Sequence, residues 1–375
     1  MEPFAFLGVL LALGMILNSC FLHSVQAARA FALSKDEVNG FLESAGSEKR
    51  FQKWVLPTGG EESPGVHGSD TIQYMQGLQI SKYMIVDQQG GGHFKTVQAA
   101  VDSVPVGNSQ WVYIQINAGI YREKVCIEYN KPYIIFQGAG RSQTVISWGD
   151  TAEGEGTANS ATFSALASNF IAKGIGFQNT AQPPPPGAQN RQAVAALLSG
   201  DMAAVYSCGF YGAQDTLFDY QGRHYFKDSY IEGSIDFIFG HAQSMFRGCE
   251  LHAIAESTGS LTAHNRWNPS ENSGFVFVNC IISGTGQIFL GRAWGAYSRV
   301  IFLYTFMNNI ILPEGWYDWG DPGRQETVFY GQYKCSGPGS SEGARVKWSH
   351  ELSDQEAQPF LQVDFIDGQS WLQEV

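Results

Sequence analysis

Positive charge is scarce in this chain. Its 375 residues carry 23 Lys and Arg against 35 Asp and Glu, a formal charge of −12. A partner with a phosphate backbone needs a basic footprint, so this balance argues against nucleic-acid binding. Cysteine is sparse too: there are six, with no C-x-x-C pair at zinc spacing, and neither a metal site nor a disulfide-dense scaffold is expected. No apolar run beyond residue 17 reaches spanning length, which speaks against stable membrane association. There is no Asn-x-Ser/Thr acceptor with a non-proline middle residue. Asn-Gly and Asp-Gly hairpin turns are scarce, which counts against a β-sandwich, the rival all-β reading.

Glycine, by contrast, is abundant. With 43 glycines and 44% hydrophobic residues the chain can bury a large core between many tight turns. Residues 4–17 are almost continuously apolar and precede Val25-Gln26-Ala27, a small-residue cleavage pattern, although Glu2 replaces the usual basic start. Residues 1–27 therefore read as a signal peptide and the protein as secreted. Their removal takes away Cys20 and the acid Glu2, leaving five cysteines and 34 acids against 23 bases. Residues 28–82, with Thr58-Gly59-Gly60-Glu61-Glu62-Ser63-Pro64-Gly65, read as a leader rather than a domain. Phe94, Val97, Val101 and Val104 then fall near helical spacing and stop at Pro105, predicting a short helix over one end of the core.

From there on, β-type runs dominate, and they repeat. Ile175-Gly176-Phe177, Cys208-Gly209-Phe210, Ser229-Tyr230-Ile231, Cys249-Glu250-Leu251, Cys280-Ile281-Ile282 and Asn309-Ile310-Ile311 each show a residue, a spacer and a large apolar residue. Their intervals are 33, 21, 20, 31 and 29 residues. About 20 residues per coil with loop insertions fits an all-β fold, the parallel β-helix, whose coils stack about 4.8 Å apart. On this alignment Cys208 and Cys249 are separated by a whole coil, beyond disulfide reach. Cys249 and Cys280 lie on neighbouring coils, and distance alone leaves that pair open.

Two carboxylates stand inside apolar runs, Asp215 in Gln214-Asp215-Thr216-Leu217-Phe218 and Asp236 in Asp236-Phe237-Ile238-Phe239-Gly240. An unpaired buried charge costs several kcal/mol, so each needs a purpose. Both fall five residues beyond the apolar mark of their coils, Phe210 and Ile231, so the alignment sets them side by side. Such a pair can divide acid, base and nucleophile roles.

These motifs, with Gly119-Ile120-Tyr121-Arg122-Glu123, Gln192-Ala193-Val194-Ala195 and Leu290-Gly291-Arg292-Ala293-Trp294, resemble the plant-type pectinesterase family over residues 83–373. The resemblance implies a right-handed parallel β-helix and removal of methyl esters from pectin homogalacturonan, releasing methanol and pectate. Longer members carry an inhibitor-like pro-domain, which the short leader is not expected to hold. It further implies Asp236 as nucleophile forming an acyl-enzyme, Asp215 as acid and then base, and Gln192 and Gln214 as oxyanion donors. Arg292 would orient Asp236, while Trp294, with Phe218, Phe239, Trp316 and Trp319 as weaker candidates, would pack on sugar rings. No cofactor is implied; the protein is expected to be a monomer of the cell wall, with a proteinaceous inhibitor as a conceivable further partner.

Three departures from the family pattern are Ala196, Ala213 and Ala293, the last replacing proline before Trp294; Ala213 and Ala293 are expected to widen the groove and loosen the arginine loop. Other signals lack context. Gly339-Ser340-Ser341-Glu342-Gly343 imitates a serine-hydrolase elbow without a preceding strand, and Gly90-Gly91-Gly92 lacks the βαβ setting of a dinucleotide loop. His241 reads as a satisfied or exposed histidine. Competing functions are a catalytically weak pectin-binding homologue and a β-helix polysaccharide lyase, the latter needing calcium-binding acid clusters.

Overall fold

The computed structural model describes residues 78–185, 188–341 and 343–372. The signal segment 1–27, the leader as far as residue 77 and the boundary at 373 lie outside the described residues. Strand Ile80–Val86 already pairs with Trp111–Ile116, so the solenoid takes in residues 80–82, the last three of the expected leader.

The chain winds as a parallel β-helix. One sheet stacks eleven strands, from Ile80–Val86 to His350–Glu351, every neighbouring pair parallel. Two further faces meet at a bend. One holds strands such as Gly209–Tyr211 and Tyr230–Gly233, the other Leu217–Asp219 and Ile238–Gly240. Strands Glu250–His264 and Ile281–Arg292 run through the bend, which joins both faces into one hydrogen-bonded sheet.

The corner between the first two faces explains the repeat. Gly174, Ser207, Asp228, Gly248, Asn279, Tyr304 and Lys334 all take left-handed backbone, with φ between 48° and 65°. The next residue turns its side chain back on that corner. Cys208, Ser229, Cys249, Cys280 and Thr305 each donate to the carbonyl two residues earlier, at 3.1 to 3.7 Å. A small side chain with one weak donor fits this place, hence the Cys, Ser and Thr. All five cysteines among the described residues are free thiols. The last repeat mark is corrected: Ile281 pairs with Phe306, so Thr305-Phe306-Met307 holds the place expected for Asn309-Ile310-Ile311. Tyr304 supplies the turn there, a backbone state the residue pattern does not display.

Inside, aromatic residues stack coil upon coil. Phe226, Phe246, Phe277 and Phe302 form a column with ring centroids 4.4 to 4.6 Å apart. Each ring buries some 150–250 Å², so such columns dominate the apolar stabilisation. The expected helix spans Val97–Asp102 and buries Val97, Ala100 and Val101 over the N-terminal end. The Glu123 carboxylate accepts from the N–H groups of Val97 and Gln98, at 2.8 and 2.9 Å, which satisfies its first turn. At the other end the helix Asp354–Ala357 opens with a Ser353/Glu356 capping box, and the turns after it pack Phe365 and Ile366 on the outer face of the first sheet.

Candidate active site

Asp215 and Asp236 occupy the same station on successive coils. Gln214 bridges Ile235, Leu217 pairs with Ile238, and the Asp215 N–H donates to Ile235 O at 3.0 Å. Both aspartates have positive φ, 63° and 47°, a state that short polar side chains tolerate best. The bend ahead of Asp236 requires Gly233, where an added Cβ would lie 2.2 Å from that of Phe237.

Asp236 is 6% exposed and fully engaged. Arg292 Nε donates to its Oδ1 at 2.8 Å and Nη2 donates to Oδ2, a bidentate pair from the edge of strand Ile281–Arg292. Ser260 adds a donor to Oδ1 at 2.5 Å. The Arg292 guanidinium also lies 4.4 Å from the ring centroid of Trp319. Burial opposes the arginine's charge, but the Asp236 carboxylate outweighs it and raises its pKa.

Asp215 has the opposite surroundings. It is nearly buried and accepts no side-chain hydrogen bond among the described residues. Burial first, and the neighbouring Asp236 charge second, push its pKa well above the ordinary carboxylate value, with Arg292 opposing. The pair is therefore split into a carboxylate clamped by Arg292 and Ser260 and a buried one whose pKa is raised.

Gln192 and Gln214 flank the pair. Their backbone carbonyls enter the coil ladder, accepting from Ala152 and Ala193 at 2.8 and 3.1 Å. Neither side-chain amide is bonded among the described residues, and Gln192 Oε1 is buried without a partner. A role as mere interior ladder bonds is thus not what these amides perform.

The aromatic residues separate into floor, rim and interior. Phe218 and Phe239 stack at 4.2 Å as a nearly buried floor, with half-buried Trp294 and Trp319 packed against that cluster. Trp316 is a correction. It is 2% exposed and stacks on Tyr330 at 4.3 Å inside the solenoid, so it does not line the groove. In strand Trp316–Tyr317 the side chains alternate, which sends Trp316 inward and leaves Tyr317 outside.

Among the alanines, Ala293 does not loosen its loop. Its N–H donates to Tyr317 O at 2.9 Å, a bond proline cannot make, and Arg324 Nη1 donates to the carbonyls of Ala293 and Trp294. His241 bonds Asn265 O through Nδ1 and lies 3.7 Å from Glu271, a satisfied histidine. Ser260 escaped the sequence reading, because the repeat spacing points to Glu256 and only the pairing of Ile238 with Thr262 places Ser260 beside Asp236. No three His, Cys, Asp or Glu side chains converge as metal ligands among the described residues. A hollow of about 630 Å³ lined by Arg266, Arg299 and Phe360 shares no residue with the carboxylate site.

The comparisons with known proteins agree with this geometry. The sequence profile of the pectinesterase family matches residues 83–369. Probable pectinesterase 8 of Arabidopsis thaliana is 47% identical over 78% of this chain and 77% of its own length. Pectinesterase QRT1 of the same plant is 48% identical over 78% and 79%. The solved structure of pectin methylesterase from carrot superposes with a TM-score of 0.73 at 35% identity, covering 77% of this chain and 94% of that one. With its parallel coils, its paired aspartates and these relatives, the chain belongs to the pectinesterase family.

Proposed function

We propose that Asp236 and Asp215 carry out the removal of methyl esters from pectin that membership of the family implies, by a covalent route. Asp236 Oδ attacks the C6 carbonyl of a methyl-esterified galacturonate, and the amides of Gln192 and Gln214 donate to the resulting oxyanion. When the tetrahedral centre collapses, the C–OCH₃ bond breaks and the Asp215 proton passes to the methoxide, which leaves as methanol. The anhydride is then attacked by water. Asp215, now ionised, takes a proton from that water, the galacturonate carboxyl departs, and Asp236 is regenerated as a carboxylate.

The observation that carries this reading is the asymmetry of the pair: Asp236 is clamped by Arg292, while Asp215 is buried, unbonded and raised in pKa. Trp294 and Trp319 supply ring faces for the sugars on either side. The catalytic domain takes in residues 80–373 behind a signal peptide of 27 residues and a leader, so the enzyme is secreted and acts on the cell wall. That is an expectation from the apolar start and its cleavage pattern.

The test is methanol release from methyl-esterified pectin in the presence of excess chelator. Activity should persist; calcium-dependent formation of unsaturated sugars without methanol would favour lyase chemistry instead.

A further inference from the structure

We infer that Ser260 is a positioning residue for the nucleophile, holding Asp236 through two hydrogen bonds and leaving Oδ2, which only Arg292 engages, as the attacking oxygen. The inference rests on the assignment of Asp236 as nucleophile.

Ser260 belongs to the coil after Asp236 and stands at the same station, as the pairing of Ile238 with Thr262 and of Phe239 with Ala263 requires. It is 1% exposed, and its own N–H donates to Ser234 O at 3.1 Å, so it is pinned to the coil that carries Asp236. The Asp236 N–H donates to Ser260 Oγ at 3.0 Å. A hydroxyl has a single proton, and with that lone pair taken the proton is directed to Asp236 Oδ1, 2.5 Å away. Main chain, hydroxyl and carboxylate thus close a small ring within one residue, and the ring holds the side chain against the freedom its left-handed backbone would otherwise give.

The two carboxylate oxygens become unequal. Oδ1 receives Ser260 Oγ and Arg292 Nε, whereas Oδ2 receives Arg292 Nη2 alone. Oδ2 keeps a lone pair uncommitted and is the attacking atom. The remaining charged or titratable groups that face the pair are Asp215 on the preceding coil, Arg292 on the following strand, Tyr317 beside Arg292 and Tyr330 from the interior. None of them can replace a donor on the Ser260 side.

Ser260→Ala, nearly equal in volume, removes both bonds. A hydrogen bond to a charged group is strong enough to move an ionisation by about one pH unit. The acid limb of kcat/KM should therefore move up by about one unit, kcat should fall at least about tenfold, and KM should stay within about twofold. Ser260→Thr keeps the hydroxyl and should return the limb, and Ser260→Cys, a weaker donor, should fall between. A merely structural serine would lower the active fraction without moving the limb. An unmoved limb in Ser260→Ala, or a limb that stays displaced in a Ser260→Thr variant with wild-type Tm, overturns the inference. Asp236→Asn assayed in parallel keeps the two readings apart: if it is inert while Ser260→Ala behaves as wild type, only the role of Ser260 falls. Turnover by Asp236→Asn would remove both.

Discussion

Asp215 and Asp236 share one station on adjacent coils, and the protein uses that closeness to make them unlike. Arg292 and Ser260 both reach Asp236, while nothing among the described residues bonds the Asp215 carboxyl. Burial and the neighbouring charge then raise the pKa of Asp215. One coil step thus gives two residues of the same type opposite surroundings, as the proposed acid and nucleophile roles require.

Asp236→Asn keeps the shape and removes the attacking charge. Its kcat should fall by at least about three orders of magnitude, on the order of 4 kcal/mol in the barrier, with little change in substrate binding. Asp215→Asn should also be severe, because the methoxide loses its proton donor. Methanol release at saturating pectin measures both, and more than about a tenth of wild-type turnover in Asp236→Asn would end the covalent mechanism.

The raised pKa of Asp215 has a consequence for stability with a definite sign. The folded state keeps a proton that the unfolded chain releases near the ordinary carboxylate value, so this group's contribution is complete at low pH and is lost as pH rises through the folded pKa. Asp215→Asn, neutral throughout, should melt above wild type at neutral and alkaline pH, and the gap should close towards acid pH. Tm measured across that range decides it; a gap that widens towards acid pH would contradict the raised value. Wild-type activity should fall on the same alkaline side as the donor proton is lost.

Arg292→Ala leaves a nearly buried carboxylate unpaired. The expected loss of stability is about 3 kcal/mol, and Asp236→Asn in the same chain should recover much of it. Urea unfolding of the two single variants and the double variant gives the coupling. A double variant no more stable than Arg292→Ala would mean that the arginine acts through its packing on Trp319 instead.

Two tryptophans on adjacent coils, Trp316 and Trp294, should separate cleanly. Trp316→Ala opens a cavity against Tyr330 and should cost about 3–5 kcal/mol of stability with KM for pectin unchanged. Trp294→Ala, at the half-buried rim, should raise KM on long pectin chains and leave Tm nearly intact. Finding the KM effect in Trp316→Ala instead would return that residue to the groove.

Much of this site was legible before any coordinates. The intervals between repeat marks are local arithmetic, and in a solenoid local arithmetic is also tertiary contact, because each coil rests on the one before. Asp215 and Asp236 met for that reason alone. The same arithmetic, carried one coil further, falls on Glu256, five residues beyond Leu251; the register irregularity between Ile254 and Thr258 moves the station on to Ser260, which spacing alone does not reach.

Sequence by itself determined the solenoid, the capping helix at Val97–Asp102 and the pairing of the carboxylates, since each depends on spacing and residue type along the chain. Tertiary structure decided what spacing leaves open. The strand Phe306–Met307 takes its register from the left-handed turn at Tyr304, and the outer face of the first sheet is covered by a segment around Phe365 and Ile366 that is remote in sequence. Trp316 sits in strand Trp316–Tyr317 and Trp319 in the left-handed turn just beyond it, and that backbone difference decides between a core stack on Tyr330 and a cation–π contact on Arg292. A side chain's partner on another coil is set by backbone direction at that point, which residue identity constrains only weakly.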